Sequence, residues 1–225
     1  MKNKSVVVFG AGIFSSLAWF CLTNDSQWKV SAFTVDQKFL TKSMHEGLPV
    51  IPFEDLLNVY PPSTTKLLIP LGYTRINGLR MERFQQATES GYELISYISS
   101  RASVWPNQCF GRNCLVYEHA IIQPFSTIAD NVIIRSGAHI SHHCVIEKHS
   151  FISAEATFGG NVTVGERCFI GLGAVIRDGL SIAERSFIGA GAVVISDTEP
   201  DGVYVGNPAR RIEKSSLEVT GGFLG

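Results

Sequence analysis

The sequence predicts an α/β unit with a small parallel sheet, followed by a parallel β-helix of about five coils. Three observations predict it. A strict six-residue repeat runs through residues 104–194, strands alternate with helices in the first hundred residues, and the composition is low in charge and high in glycine. Charged residues make 17% of the 225, against roughly 25% in an ordinary soluble chain. Nineteen basic and 20 acidic residues leave a formal charge of −1. That balance excludes a general nucleic-acid binder, which needs a basic footprint. No apolar run reaches the roughly 18 residues of a membrane span. The opening valine run ends in Gly10-Ala11-Gly12 rather than a cleavage site, so it reads as a buried strand and not a signal peptide.

The repeat carries the strongest signal. From Val104 an aliphatic or aromatic residue recurs at every sixth position, through Ile122, Ile140, Phe158, Ile176 and on to Val194. The sixteen hexads hold one register without insertion or deletion. Four residues after each large residue stands a second, mostly small one, such as Ala138, Cys144 and Ala174. A period of six fits neither a helix nor a long alternating strand. It fits short strands separated by equivalent corners, the sequence signature of a parallel β-helix. Three hexads make one triangular coil, so residues 18 apart stack. Cys114, Cys144 and Cys168 occupy the small inward position and read as core filling. Cys21 falls in a helix and Cys109 beside a corner. Neither a metal spacing nor a disulfide framework is visible, which points to a reducing, cytoplasmic setting.

Before the repeat the pattern changes. Residues 5–9 form an apolar strand, 13–22 a helix burying Leu17, Ala18, Phe20 and Cys21, and 28–35 a second strand ending at Asp36. Residues 49–53 are extended and 53–59 a short helix. Residues 66–69 are a strand, 75–90 a helix and 92–98 a further strand. Such alternation means a small parallel, Rossmann-like sheet. Gly10 and Gly12 lie where a strand turns into a helix, a place where phosphates bind on helix N–H groups. Ser15 holds the place of the third glycine of the dinucleotide pattern, so a ligand-free tight turn is the alternative. Asp36 suits a ribose or base contact. Asn77 and Arg80 share one side of the next helix start and suit a base, diphosphate or sugar; the alternative is a helix cap and a solvated arginine. Residues 1–100 thus read as a nucleotide-sugar-binding domain, 101–199 as the β-helix, and 200–225 as a tail.

No nucleophile elbow or carboxylate pair stands out. The concentration is histidine, with His139, His142 and His143 within five residues. The register points Ile140 and Cys144 inward and puts His142 and His143 on a corner. His142 stacks between Pro124 and Gly160, and His143 between Phe125 and Asn161. Gly159-Gly160 then leaves open space above the histidines. A histidine titrating near neutrality is a natural general base, and His142 is favoured over His143. Zinc binding by the cluster lacks an evident third ligand, and an inert surface cluster is the bland alternative.

These stretches resemble the left-handed β-helix, hexapeptide-repeat sugar O-/N-acyltransferases, and most closely the bacterial nucleotide-sugar N-acetyltransferases of surface-glycan synthesis. The matching segments are residues 6–12, 71–80, 139–146, 169–178, 188–194 and 202–210. The resemblance implies a left-handed coil sense and a cytoplasmic homotrimer with sites between neighbouring prisms. It implies acetyl-CoA or another acyl-CoA as co-substrate, no metal, and neither a nucleic-acid nor a membrane partner. The acceptor it implies is a dTDP-, UDP- or GDP-linked amino sugar, with Tyr73 and His139 joining Gly10, Gly12, Asp36, Asn77 and Arg80 around it. His142 would be the general base, with His143 beside it. Gly160, Gly173, Ala174, Gly191, Ala192, Pro208 and Arg210 would line the coenzyme A groove. Several relatives carry an acidic residue after the catalytic histidine. Here that place is His143, so His142 must be oriented by something else, such as Asn161, a backbone carbonyl or a neighbouring chain. Alternatives within the class are O-acetylation of a sialic-acid-like hydroxyl or transfer of a longer acyl group such as hydroxybutyryl. Outside it stand a non-catalytic binding module and a γ-carbonic-anhydrase-like metalloenzyme.

Overall fold

The computed structural model describes residues 4–219. Two compact units emerge. One takes residues up to 72 together with 82–97, the other residues 73–81 and everything from 98 onward.

The first unit is a five-stranded sheet in the order β3-β4-β2-β1-β5. Its strands are β1 (Lys4–Phe9), β2 (Trp28–Val35), β3 (Met44–His45), β4 (Leu48–Pro52) and β5 (Lys66–Leu68). Val6, Val7 and Val8 are fully buried, as a central parallel strand covered on both faces requires. β1 runs parallel to β2 and β5, and β2 to β4. β3 is antiparallel to β4, so the sheet is mixed rather than all parallel. The cause is local. Glu46 and Gly47, with φ of 48° and 75°, form a two-residue turn of the kind that closes hairpins. Helix α1 (Ile13–Asp25) runs longer than the sequence predicts and buries Ser15, Ala18 and Leu22, while Phe20 is turned outward. A one-turn helix α2 (Leu56–Val59) follows β4.

Helix α3 (Gly78–Glu89) starts three residues later than expected. Arg75, Ile76 and Asn77 all adopt left-handed backbone, with φ of 55°, 45° and 63°, which a right-handed helix cannot include. The strand expected over 92–98 shrinks to a bridge between Leu94 and Leu67 and a two-residue strand at Tyr97–Ile98.

The second unit is a three-faced parallel β-helix. Fifteen of the sixteen hexads contribute a two-residue strand and Phe110 a single bridge to Ile128; strands pair in parallel across a spacing of 18 residues, as in Ile133↔Phe151 and Phe151↔Phe169. The second residue of each strand points inward. Val116, Ile122, Ile140, Ile152 and Ile170 are all fully buried and share one core with Cys114, Ala138, Cys144 and Cys168. A feature beyond the hydrophobic register fixes the corners. Every sixth residue between positions 107 and 191 has positive φ, among them Asn131 (60°), His143 (58°), His149 (64°), Asn161 (59°) and Gly173 (61°). Asparagine, histidine and glycine accept this conformation more readily than most residues. On the face that contains Phe187, a parallel strand at Gly202–Val205 is followed by an antiparallel one at Arg210–Ser215.

One edge of the β-helix is held by a polar stack. Asn113 Nδ2 donates to Asn131 Oδ1 at 2.8 Å, and Asn131 Nδ2 lies 2.8 Å from His149 Nδ1. His149 is 4% exposed. Burial, with the Arg80 cation beside it, pulls its pKa down from 6.5 to about 4. The ring is therefore neutral when folded, while an unfolded His149 protonates below about pH 6.5. Its contribution to stability is complete above pH 6.5 and is lost as pH falls through 4. The full difference amounts to about 3 kcal/mol. Urea unfolding at pH 7 and at pH 4.5 should show a larger loss of stability for the wild type than for His149→Asn, which keeps an amide in the stack.

Candidate active site

The β-helix corners fall on three edges, each carrying a backbone ladder. On the first edge His143 N–H donates to Pro124, Asn161 N–H to His142 and Gly179 N–H to Gly160. On the second, Glu155 N–H donates to Ser136, Gly173 N–H to Ala154 and Gly191 N–H to Leu172. On the third, Asn131, His149, Arg167 and Arg185 occupy the equivalent places. The hexad register therefore assigns each corner candidate of the β-helix to an edge.

His142 and His143 lie on the first edge, both exposed. Four contacts define their geometry. The backbone N–H of His142 donates to Gln123 Oε1 at 3.1 Å. Gln123 Nε2 lies 3.2 Å from His139 Nε2. His142 Nδ1 lies 3.1 Å from His143 Nδ1. The His143 ring packs on Phe125 with centroids 4.8 Å apart and planes tilted by 33°. Sequence reasoning missed Gln123, whose signal was its position 18 residues before Ser141, one coil below the cluster.

The opening expected over Gly160 is not empty. A Cβ on Gly160 would stand 2.4 Å from His142 Cε1 and 2.8 Å from Nε2, so the imidazole itself fills that space. Gly159 answers a different need, since its Cβ would stand 2.5 Å from the backbone nitrogen of Asp178 in the next coil.

Gly173 and Gly191 lie on the second edge, both with positive φ and open space beside them. Ala174 and Ala192 are fully buried, so only their backbone is available there. Within one chain, then, the histidine edge and the Gly173–Gly191 edge are different edges of the prism. Pro208 lies in the turn before the last strand. Arg210 is exposed, and its Nη1 donates to the Ala209 carbonyl at 3.1 Å. Arg211 pairs with Glu199.

Asn77 and Arg80 turn out to be interior residues of the second unit, and Tyr73 is half-buried in it. Tyr73 packs on the stacked rings of Phe151 and Phe169, with centroids 5.5 and 4.3 Å away. Asn77 and Arg80 are fully buried. Asn77 Nδ2 donates to the carbonyls of Arg167 and Cys168, at 3.1 and 3.0 Å. Arg80 donates to the carbonyls of His149 (2.6 Å), Ser150 (3.2 Å) and Asn131 (3.4 Å), and to Asn77 Oδ1 (3.1 Å). Neither a solvated arginine nor a ligand contact describes this pair: they satisfy corner carbonyls of successive coils. Burial pulls the Arg80 guanidinium down to about 9, which leaves it charged at pH 7.

In the first unit the glycine turn is likewise engaged by the protein. Gly10 N–H donates to Thr34 O at 2.7 Å. Gly12 N–H donates to Ser15 Oγ at 2.8 Å, and that hydroxyl donates back to Gly12 O at 2.7 Å. Ser15, in place of a third glycine, thus supplies the bond a phosphate would otherwise offer Gly12. Asp36 Oδ2 accepts from Arg83 Nη2 at 2.6 Å, with both side chains mostly buried. The two border a cleft of about 780 Å³ with Phe53, Glu54, Gln86 and Tyr92.

The core cysteines of the β-helix bring no nucleophile. Cys144 and Cys168 are buried, and burial pushes the Cys168 thiol up to about 12. Among the described residues no group of three or more His, Cys, Asp or Glu side chains is placed to hold a metal ion. No helix there is long and apolar enough to cross a membrane.

Against known proteins, the family model "Bacterial transferase hexapeptide (six repeats)" matches residues 143–178. No curated protein matches the chain. Among solved structures, the acetyltransferase domain of PglB from Neisseria gonorrhoeae FA1090 is 27% identical, with a TM-score of 0.84. That match covers 93% of this chain and all of the other. The same domain is known in complex with acetyl coenzyme A. PerB from Caulobacter crescentus, in complex with CoA and GDP-perosamine, is 26% identical with a TM-score of 0.83. That match covers 92% of this chain and 97% of PerB. Repeat, fold and likeness make the chain similar to one class, the left-handed β-helix, hexapeptide-repeat acyltransferases. Within it, the chain is similar to the bacterial sugar N-acetyltransferases that pair such a β-helix with an N-terminal α/β unit.

The Arg80 contacts carry a test of their own. Arg80→Met removes the guanidinium donor from the carbonyls of Asn131, His149 and Ser150, of which Ser150 keeps the Ile133 N–H. Urea unfolding should register a loss on the order of 3 kcal/mol.

Proposed function

We propose that the protein transfers an acyl group, acetyl in the first instance, from acyl-CoA to the amine of a nucleotide-linked amino sugar, in the cytoplasm and for bacterial surface-glycan synthesis. The observation that carries this reading is the His142 imidazole. It sits exposed on a rigid corner, its backbone is tied to Gln123, and its Nδ1 is occupied by His143. Nε2 is then the nitrogen left to act on a substrate. The likeness to PglB and PerB supports coenzyme A and a sugar nucleotide as the two ligands.

The chemistry needs one base and no covalent enzyme intermediate. The acceptor amine attacks the thioester carbonyl, forming the C–N bond. Nε2 of His142 takes the amine proton, a backbone N–H stabilises the oxyanion, and the C–S bond breaks. The proton passes on to the thiolate, giving the amide and free coenzyme A and returning His142 to its neutral form. Because Gly173 and Gly191 lie on a different edge from His142, the groove for coenzyme A is assembled from the histidine edge of one protomer and the glycine edge of a neighbour. Three copies around an axis supply three such grooves. The glycine corners, with open space beside them, offer backbone N–H groups to the thioester and pantetheine arm, and Arg210 offers a cation to a phosphate. The cleft beside Asp36 and Arg83 is the place for the nucleotide.

His142→Ala should lower kcat by 10²–10⁴-fold with an unchanged melting curve; full activity in that variant excludes the general-base role. Gly160→Ala pushes a methyl group into the space of an exposed, movable ring, so kcat should fall at least tenfold while stability changes by less than about 1 kcal/mol. A thermal-shift series with coenzyme A, UDP, dTDP, GDP and CMP should raise the melting temperature for coenzyme A and for one nucleotide, since a ligand that binds only the folded state stabilises it. No response to millimolar coenzyme A counts against the acyltransfer reading.

A further inference from the structure

The contact between the two histidines assigns a role to the second one. Two ring nitrogens 3.1 Å apart can form a hydrogen bond only if one carries a proton and the other does not. For His142 Nδ1 and His143 Nδ1 there are two such arrangements. In one, His142 donates from Nδ1, so its Nε2 carries a lone pair and can act as a base. In the other, His143 donates, the His142 proton sits on Nε2, and that nitrogen cannot accept another. Only the first survives the reaction without a tautomer change. When Nε2 takes up a proton the ring becomes imidazolium with both nitrogens protonated, and its Nδ1–H still needs an acceptor.

The His143 ring is well placed to remain that acceptor. The left-handed corner, with φ of 58°, fixes its backbone, and Phe125 one coil below packs on its face. The His142 backbone is held independently, through Gln123 at its N–H, and its ring lies over Gly160. Asn161, one coil further on, is bound to His142 by its backbone N–H to the His142 carbonyl, a contact that leaves the ring untouched.

Resting on the reading of His142 as base, we infer that His143 is a positioning residue for it: its Nδ1 accepts the Nδ1–H of His142, selects the basic tautomer, and does this without a negative charge.

The test uses His143→Phe and His143→Asn in the full-length protein. Both residues already occupy equivalent left-handed corners, at Phe125 and Asn161, so both variants keep the corner. Phenylalanine retains the packing on Phe125 and removes the acceptor. Asparagine retains an acceptor oxygen. His143→Phe should lower kcat by about 10–100-fold, a loss typical of removing an orienting partner, with KM for acyl-CoA and acceptor within about twofold. His143→Asn should recover most of kcat. Nitrogen-15 NMR of the imidazoles gives a readout that a purely structural role does not move. His142 should be the Nδ1–H tautomer in the wild type and shift to Nε2–H in His143→Phe. Wild-type kcat and an unchanged tautomer in His143→Phe, together with an inactive His142→Ala, overturn the role of His143 and leave the base reading standing. A raised KM at constant kcat also overturns it, since His143 then binds substrate. A fully active His142→Ala removes both readings together.

Discussion

Everything in the second unit depends on the hydrogen-bond ladder between coils. Each backbone N–H on a face meets a carbonyl 17 residues on, as in Tyr117 to Ile134, Gln123 to Ile140 and Ser153 to Ile170. Two-residue strands have almost no stability of their own. They persist because each is paired above and below and because its inward side chain joins a continuous core. In a solenoid of this kind each repeat leans on its neighbours, and order spreads along the stack. The candidate site uses the same ladder. His142 and His143 are held where they are because Pro124 below and Asn161 above are held there too.

This constraint explains why so much of the β-helix was legible in the sequence. The six-residue register assigns inward and corner positions without knowledge of any contact, so it placed His142 against Gly160 and His143 between Phe125 and Asn161. Three features stayed hidden. The positive-φ position three residues after each aliphatic residue is filled by asparagine, histidine, glycine, arginine, glutamate and phenylalanine, a set too mixed to stand out. Gln123 contacts the cluster through its side chain from one coil away, and no local pattern marks it. The space above Gly160 was read from the glycine alone, whereas the neighbouring ring decides what fills it.

The stretch over residues 71–80 taught a different lesson. Asn77 and Arg80 look like ligand-binding residues because they are polar and three apart near a helix start. Their real partners are backbone carbonyls at 131, 149, 150, 167 and 168, more than 50 residues away in sequence. A corner that turns its carbonyls in one direction leaves acceptors that need donors once they are buried. One fully buried arginine and one asparagine meet that need across several coils. The glycine turn of the first unit is similar: Ser15 takes the bond that a phosphate pattern would leave open. In both places internal satisfaction of the backbone competes with ligand binding for the same polar groups.

The end of the stack has a consequence beyond catalysis. A parallel solenoid presents at each end an open tier of donors and acceptors onto which a further parallel tier could add, and unchecked addition of this kind makes fibres. Here the strand at 202–205 is covered by an antiparallel strand, Arg210–Ser215. Antiparallel bonds alternate between close and wide pairs, while a parallel tier needs them evenly spaced. The closing strand also carries Arg210, Arg211, Glu213 and Lys214, charges that the growing face of a fibre would have to desolvate. The same short segment thus closes that face of the stack to a further parallel tier.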